Sequence, residues 1–333
     1  MKKLLNIISI VISMMFMVGC QQVATPNVQS ETKTTNPGEP TEINPVAIRI
    51  VVLPLIDTLP MFVAEKEGLY LKHGVKVEFI PVSSAPERDQ VLQAGQADVT
   101  VNEILSDMFL NKEIIQMEVV RYAHMASANT AHFYILASAQ SGITNVDGLK
   151  GVEIGISTGT IIEYVTDRLL EKKGFTAEDI RTISVPKMPE RMSLLASGGL
   201  KAGVLPDPLA ALSVQQGAKI VLDDSQFPSY GASVISVTKT FIDSHPTAIK
   251  GFLAAIEEAI KMVNANPANY SSLLTDKQLV PAPLLGTYKI PVFPLAGITS
   301  EAEWNDALVW AKEKGLLTTD ISYRESVNPN FLP

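Results

Sequence analysis

Cysteine is almost absent: Cys20 is the only one in 333 residues. No disulfide can form within the chain, and nothing after residue 20 can be a thiol nucleophile or a Cys-based metal site. A fold made outside the cytoplasm must then rest on its core, and more than 280 residues are long enough to bury one. Aromatic residues make up 6%, so a site built on stacked rings has few side chains to draw on. Positive charge is also short, with 27 basic against 35 acidic residues and a net charge of −8. That disfavours nucleic acid or an anionic membrane face as a partner. It leaves an anionic small ligand open, because a pocket sets its own local field.

The N-terminus is a different kind of segment. Lys2 and Lys3 precede an apolar run from Leu4 to Val18, closed by Gly19-Cys20. This is the layout of a secretory signal over residues 1–19, too short for a transmembrane helix. Met17-Val18-Gly19-Cys20 resembles a bacterial lipobox, with Met where Leu is usual, and implies a lipidated Cys20; a plain signal ending near a Cys is the other reading. Residues 20–47 then lack any aromatic and are rich in Thr, Pro, Asn and Gln. Such a chain cannot bury enough apolar surface to fold and reads as a tether. It spans about 30 Å on average, taking ~5–6 Å times the square root of its length.

From residue 48 the pattern alternates. Strand-like runs at 48–54, 75–82, 97–103 and 117–125 are separated by amphipathic segments at 60–74, 85–95 and near 104–113. A second set has strands at 133–139, 148–157, 180–186, 202–207 and 218–224, with helices at 160–174 and 190–199. Short apolar runs alternating with longer periodic segments predict parallel βαβ units. After a strand at 232–241, residues 244–267 predict the longest helix, with Ser244 as N-cap and Pro246 in the first turn.

Gly155-Ile156-Ser157-Thr158-Gly159 fits the G-x-S-x-G pattern of a hydrolase nucleophile elbow. Its partners are missing. His245 is the one histidine downstream and no His-Gly-Gly-Gly segment lies upstream. Thr160-Ile161-Ile162-Glu163 predicts a capping box, which starts the helix at Thr160, three residues late for an elbow. The stretch therefore predicts a helix N-terminus whose amides favour negative or electron-rich groups. No Walker lysine or G-x-G-x-x-G is present, so nucleotide phosphate is not indicated.

The stretches at 62–80, 91–101, 143–160, 205–212, 244–260 and 310–317 resemble the substrate-binding proteins of ABC importers, in the nitrate, sulfonate and thiamine-precursor branch. The resemblance implies an α/β fold of the periplasmic-binding-protein-like type II class, with two lobes of mixed sheets joined by a two-strand hinge. It places the crossings near 132–137 and 232–237, one lobe at 48–133 plus 236–333, and the other at 134–235. It implies a monomeric, extracytoplasmic, lipid-anchored protein with no cofactor and no catalytic residues. Its partners would be an ABC permease and a small ligand of the sulfonate, nitrate-like anion, pyrimidine or flavin class. Enzymes on the same scaffold are the alternative; the pyrimidine-forming ones carry a Cys-rich motif that this chain lacks.

With two such lobes, strand-end loops face a cleft. The candidate ligand contacts are then Asp57, Thr58, Ser83, Ser84, Asn102, Glu103 and His124 from one lobe. The other offers Ser157, Thr158, Gly159, Thr160, Lys187 and Asp207. Among aromatics near the cleft (Tyr122, Phe133, Tyr134, Tyr164, Tyr230), Tyr230 is the best stacking candidate. Each Ser, Thr or Asp has a plainer reading as a turn or cap residue. His124 and His132, eight residues apart, fit no local metal spacing and read as two hinge histidines.

Overall fold

The computed structural model describes residues 44–333; the expected signal, Cys20 and most of the expected tether lie outside them. In chain order the first half comprises β1 (Val46–Val52), α1 (Leu59–Lys66), α2 (Leu69–Lys72), β2 (Val75–Pro81), α3 (Ala85–Gln93), β3 (Val99–Asn102), α4 (Ile104–Leu110) and β4 (Met117–His124). The second set is β5 (Phe133–Ala137), β6 (Glu153–Ile156), α5 (Ile161–Lys172), β7 (Arg181–Ser184), α6 (Met188–Ser197), β8 (Ala202–Pro206), α7 (Leu209–Gln215) and β9 (Lys219–Asp223). The chain ends with β10 (Ser233–Thr238), α8 (Lys239–Ser244), α9 (Pro246–Ala265), α10 (Ser271–Asp276), α11 (Glu301–Glu313) and α12 (Tyr323–Ser326). The first strand starts inside the expected tether, because Val46 and Ala47 already pair with Val75 and Lys76.

Ten strands form two sheets of the same plan, β2-β1-β3-β10-β4 and β7-β6-β8-β5-β9. In each, three parallel strands are followed by one antiparallel strand that arrives from the other sheet. The crossings differ from expectation. β5 pairs along its length with β8 and β9, and β10 pairs with β4 from Ser233 onward. Each strand thus lies wholly in one sheet, and the connections are residues 125–132 and 224–232.

The long helix begins one residue later than expected. His245 is its N-cap and Pro246 its first residue, while the Ser244 hydroxyl donates to Thr240 O at 2.7 Å and closes α8. Ile249, Phe252, Leu253, Ile256, Ile260 and Val263 recur at three- and four-residue spacing and are buried against the first sheet's layer. Near the C-terminus, α11 packs on α4 and also grips α5: Trp310 Nε1 donates to Asp167, and Tyr164 Oη and Arg168 Nε donate to Asp306. The C-terminal segment therefore joins both halves. No helix among the described residues is long and apolar enough to cross a membrane.

Candidate functional site

In each sheet the central switch point lies where β1 sits between β2 and β3, or β6 between β7 and β8, and ligand sites form at the carboxyl ends there. The loops after these strands converge on a cleft of about 350 Å³, large enough for a small organic molecule. Its wall takes Asp57, Thr58, Ser83, Ser84, Asn102 and Glu103 from one half, and Ser157, Thr158, Thr160 and Lys187 from the other. Leu53, Leu55, Val101, Phe133, Ile161 and Met188 supply its apolar surface.

Ser157 is set by an arginine that sequence reasoning missed. Arg191, on α6, is fully buried and donates from Nη2 to Ser157 Oγ at 2.6 Å. Its other donors go to the carbonyls of Val185 and Val204. Among the described residues no carboxylate pairs with it, and burial lowers its pKa to about 10. Gly155 makes room for Leu200 beside it, since a Cβ there would lie 2.5 Å from Leu200 Cδ1. The Ser157 hydroxyl donates to Pro186 O at 3.3 Å, longer than a good O–H···O bond, so a better acceptor can take it.

The turn after Ser157 departs from the expected capping box. Thr160 caps α5 by accepting from Ile162 N at 3.2 Å. Glu163, however, accepts from Gly159 N at 2.7 Å rather than from Thr160. Gly159 has a φ of 72°, the left-handed region that glycine tolerates, and this aims its amide back at Glu163. Among the described residues the amides of Thr158, Thr160 and Ile161 donate to no protein acceptor, so the end of α5 keeps donors for a ligand. Lys187, exposed at the cleft, forms no ion pair among them.

The facing wall is electrically closed. Arg88, on α3, is buried and donates to Asp89 at 2.9 Å and Ser106 at 2.6 Å, with Glu103 at 3.4 Å. Burial disfavours its charge, yet Glu103 and Asp89 hold its pKa above the ordinary value. Ser84 caps α3 and Glu87 accepts from Ser83 N. The Asn102 side chain turns away from a ligand role, donating to Asp107 at 2.6 Å and accepting from Ser236 at 2.8 Å.

Four expected contacts do not line the cleft. Asp207 accepts from Tyr288 Oη; Gly159 makes the turn just described. Tyr230 packs edge-on against Tyr164, ring centroids 5.8 Å apart. Of the five aromatics considered, Phe133 alone lines the cleft, so no pair of rings converges to stack a flat ligand. His124 sits beneath the wall, where its ring and that of His132 lie 4.6 Å apart. Both reach Asp57 Oδ1, from His124 Nδ1 at 3.5 Å and His132 Nε2 at 3.4 Å. The two histidines bracket the connection 125–132, which doubles back and brings their rings together. Burial opposes charge on all three, but His132 and His124 hold Asp57 well below the usual carboxylate range. The Asp57 carboxylate outweighs burial at His132, whose pKa rises to about 9.

Two α/β halves with a cleft at their strand ends define a periplasmic-binding-protein-like fold. The alkanesulfonate-binding protein SsuA from Xanthomonas axonopodis pv. citri, solved bound to MOPS, is similar over 86% of this chain and 99% of that one, with TM-score 0.71 and 16% identity. The desulfurization enzyme DSZB has a similar fold, with TM-score 0.66 and 14% identity over 86% of this chain and 97% of that one. In sequence, a protein of Brucella abortus (strain 2308), provisionally named a binding protein, is 24% identical over 213 residues. That match covers 62% of this chain and 63% of the relative, so the chain spans less than two thirds of the length of such curated relatives. The chain belongs to the NMT1/THI5 like family, whose profile matches residues 56–270.

Proposed function

We propose that the protein is an extracytoplasmic solute-binding lipoprotein that closes its two halves over a small organic anion and delivers it to an ABC permease. One observation carries the anion: Arg191 is a buried cation without a carboxylate, and it points at Ser157 beside three undonated amides of the α5 turn. A charge left this way is stabilised by an acceptor or anion brought by the ligand. The apolar remainder of the wall fits a molecule with an anionic head and a hydrocarbon body, as in an organosulfonate, better than nitrate. Relatives named as binding proteins support transport, and the lipobox supports a lipid anchor at Cys20.

An enzyme is the second reading, favoured by the fold shared with a desulfurization enzyme. Against it, Ser157 has a guanidinium rather than an imidazole at its hydroxyl, so no base stands ready to take its proton. The test is a thermal-shift screen of the purified chain with alkanesulfonates, nitrate, pyrimidines and flavins. A ligand at 100 times its Kd stabilises by about 2.7 kcal/mol, and sulfonates are expected to give the largest shift. A flat response to all four classes overturns the reading. For the anchor, Cys20→Ala is expected to release the protein from membranes.

A further inference from the structure

We propose that Asp57, His124 and His132 form a binding site for a divalent transition-metal ion, zinc being the best fit. This goes beyond solute capture and does not depend on it. The three groups come from separate segments: Asp57 from the turn after β1, His124 from the end of β4, and His132 from the connection into β5. All are more than nine-tenths buried, and one ligand atom from each lies within 4.8 Å of the others.

The distances to Asp57 fit a metal better than a shared proton. A charge-assisted N–H···O bond is about 2.7–2.9 Å long. The two observed contacts to Asp57 Oδ1, 3.4 and 3.5 Å, are far longer. They match the edge of a tetrahedron whose ligands stand about 2.0–2.1 Å from a central zinc, which is about 3.3–3.4 Å. Hydrogen bonding agrees. Asp57 Oδ1 and both ring nitrogens of His124 are buried without a partner. A proton on His132 Nε2 would leave the His124 ring as it is.

The surroundings prepare the ligands. Gly231 O can only accept, so His132 Nδ1 carries the proton of their 2.7 Å bond. With Nδ1 committed to Gly231, Nε2 is the nitrogen aimed at Asp57 Oδ1, and a metal ion would take the place of its proton there. The bond to Gly231 is the outer support that metal-ligating histidines usually have. Asp224 further fixes the segment by accepting from His132 N and Phe133 N. Two imidazoles and one carboxylate select zinc, cobalt, nickel or copper over magnesium or calcium. Since Asp57 and His132 line the cleft, a fourth coordination position is available from that side.

The test uses the tag-free chain, stripped with a chelator and titrated with zinc chloride by calorimetry, with metal content measured after gel filtration. One zinc per chain at micromolar Kd or tighter is expected, and Co²⁺ should show the intense visible bands of tetrahedral coordination. Asp57→Asn, His124→Gln and His132→Gln put a neutral amide in place of each ligand, and urea melts check that each variant folds. Each should weaken zinc by more than the roughly 10–100-fold that loss of a mere supporting residue costs. His245→Gln, remote in the N-cap of α9, should leave binding unchanged. Absence of stoichiometric zinc in the parent chain, binding undiminished in the His124→Gln/His132→Gln double variant, or an octahedral cobalt spectrum would each overturn the proposal.

Discussion

Arg88 and Arg191 occupy the same station in the two halves of the protein. Each follows a Pro-Glu pair near the start of a helix, and each donates to the carbonyl thirteen residues on, Val101 or Val204. Those carbonyls lie on equivalent strands, β3 and β8. The stations differ in charge. Arg88 has Asp89 and Glu103 beside it, whereas Arg191 has only carbonyls and the Ser157 hydroxyl. Arg88 thus lines the cleft with its charge already answered by carboxylates, whereas Arg191 lies behind the cleft residue Ser157 with its charge answered by none.

Arg191→Gln tests that asymmetry. Val185 O and Val204 O lose donors, and a buried acceptor left unpaired costs about 1–3 kcal/mol. Ligand affinity should fall roughly 10–100-fold, as for loss of a charged hydrogen-bonding group. Arg88→Gln should unfold more readily while changing affinity less, because its charge is already answered. Urea melts and calorimetry on both variants check this; equal losses of affinity would refute it.

Ser157→Ala removes the hydroxyl between Arg191 and the cleft. The expected outcome is a small change in stability, since Arg191 keeps its carbonyl partners, with ligand affinity about tenfold weaker, near one hydrogen bond's worth. Unchanged affinity would show that the guanidinium charge does not reach the ligand through this residue.

Asp107 predicts a pH dependence. Burial pushes its carboxyl up to about 7, against the hydrogen bonds from Ser236 and Asn102. Ser236 Oγ has one proton for two acceptors, Asp107 Oδ2 at 2.5 Å and Asn102 Oδ1 at 2.8 Å, so a proton on Asp107 completes the ring that Asn102 closes by donating to Asp107 Oδ1. A carboxyl with a raised folded pKa binds a proton that the unfolded chain has lost. Its contribution is thus favourable at low pH and is lost as pH rises from about 4 through about 7. Asp107→Asn mimics the acid form. It should match the parent near pH 4 and melt higher at pH 8; an equal decline with pH in both proteins would contradict the ring.

Arg121 and Glu257 form a buried pair at 3.3 Å that ties β4 to α9. Breaking it from one side strands a charge, so Glu257→Ala should cost about 3–5 kcal/mol. The double variant Arg121→Met/Glu257→Leu should recover much of that loss. Denaturant midpoints for the single and double variants decide the matter, and additive losses would mean the pair is not coupled.

Much of the fold was legible because its signals are local. Alternating strands and helices, the cap at Thr160 and the buried stripe of α9 follow from residues within a few positions of one another. What escaped was long-range. Asn102 reads as a strand-end ligand contact, yet its side-chain oxygen accepts from Ser236, 134 residues away. His124 and His132 read as unrelated until the chain between them turns back and Asp57 arrives from β1. Arg191 left one trace in the sequence: its Pro-Glu-Arg at 189–191 repeats that of 86–88. Only the structure shows that one of the two lacks a carboxylate.

Capture of an organic anion at Ser157 is tested most directly by calorimetric titration of the parent chain and Arg191→Gln with an alkanesulfonate. The expected result is saturable binding of one molecule per chain, weakened at least about tenfold in the variant. Absence of binding to the parent, or equal affinity in both proteins, would contradict it.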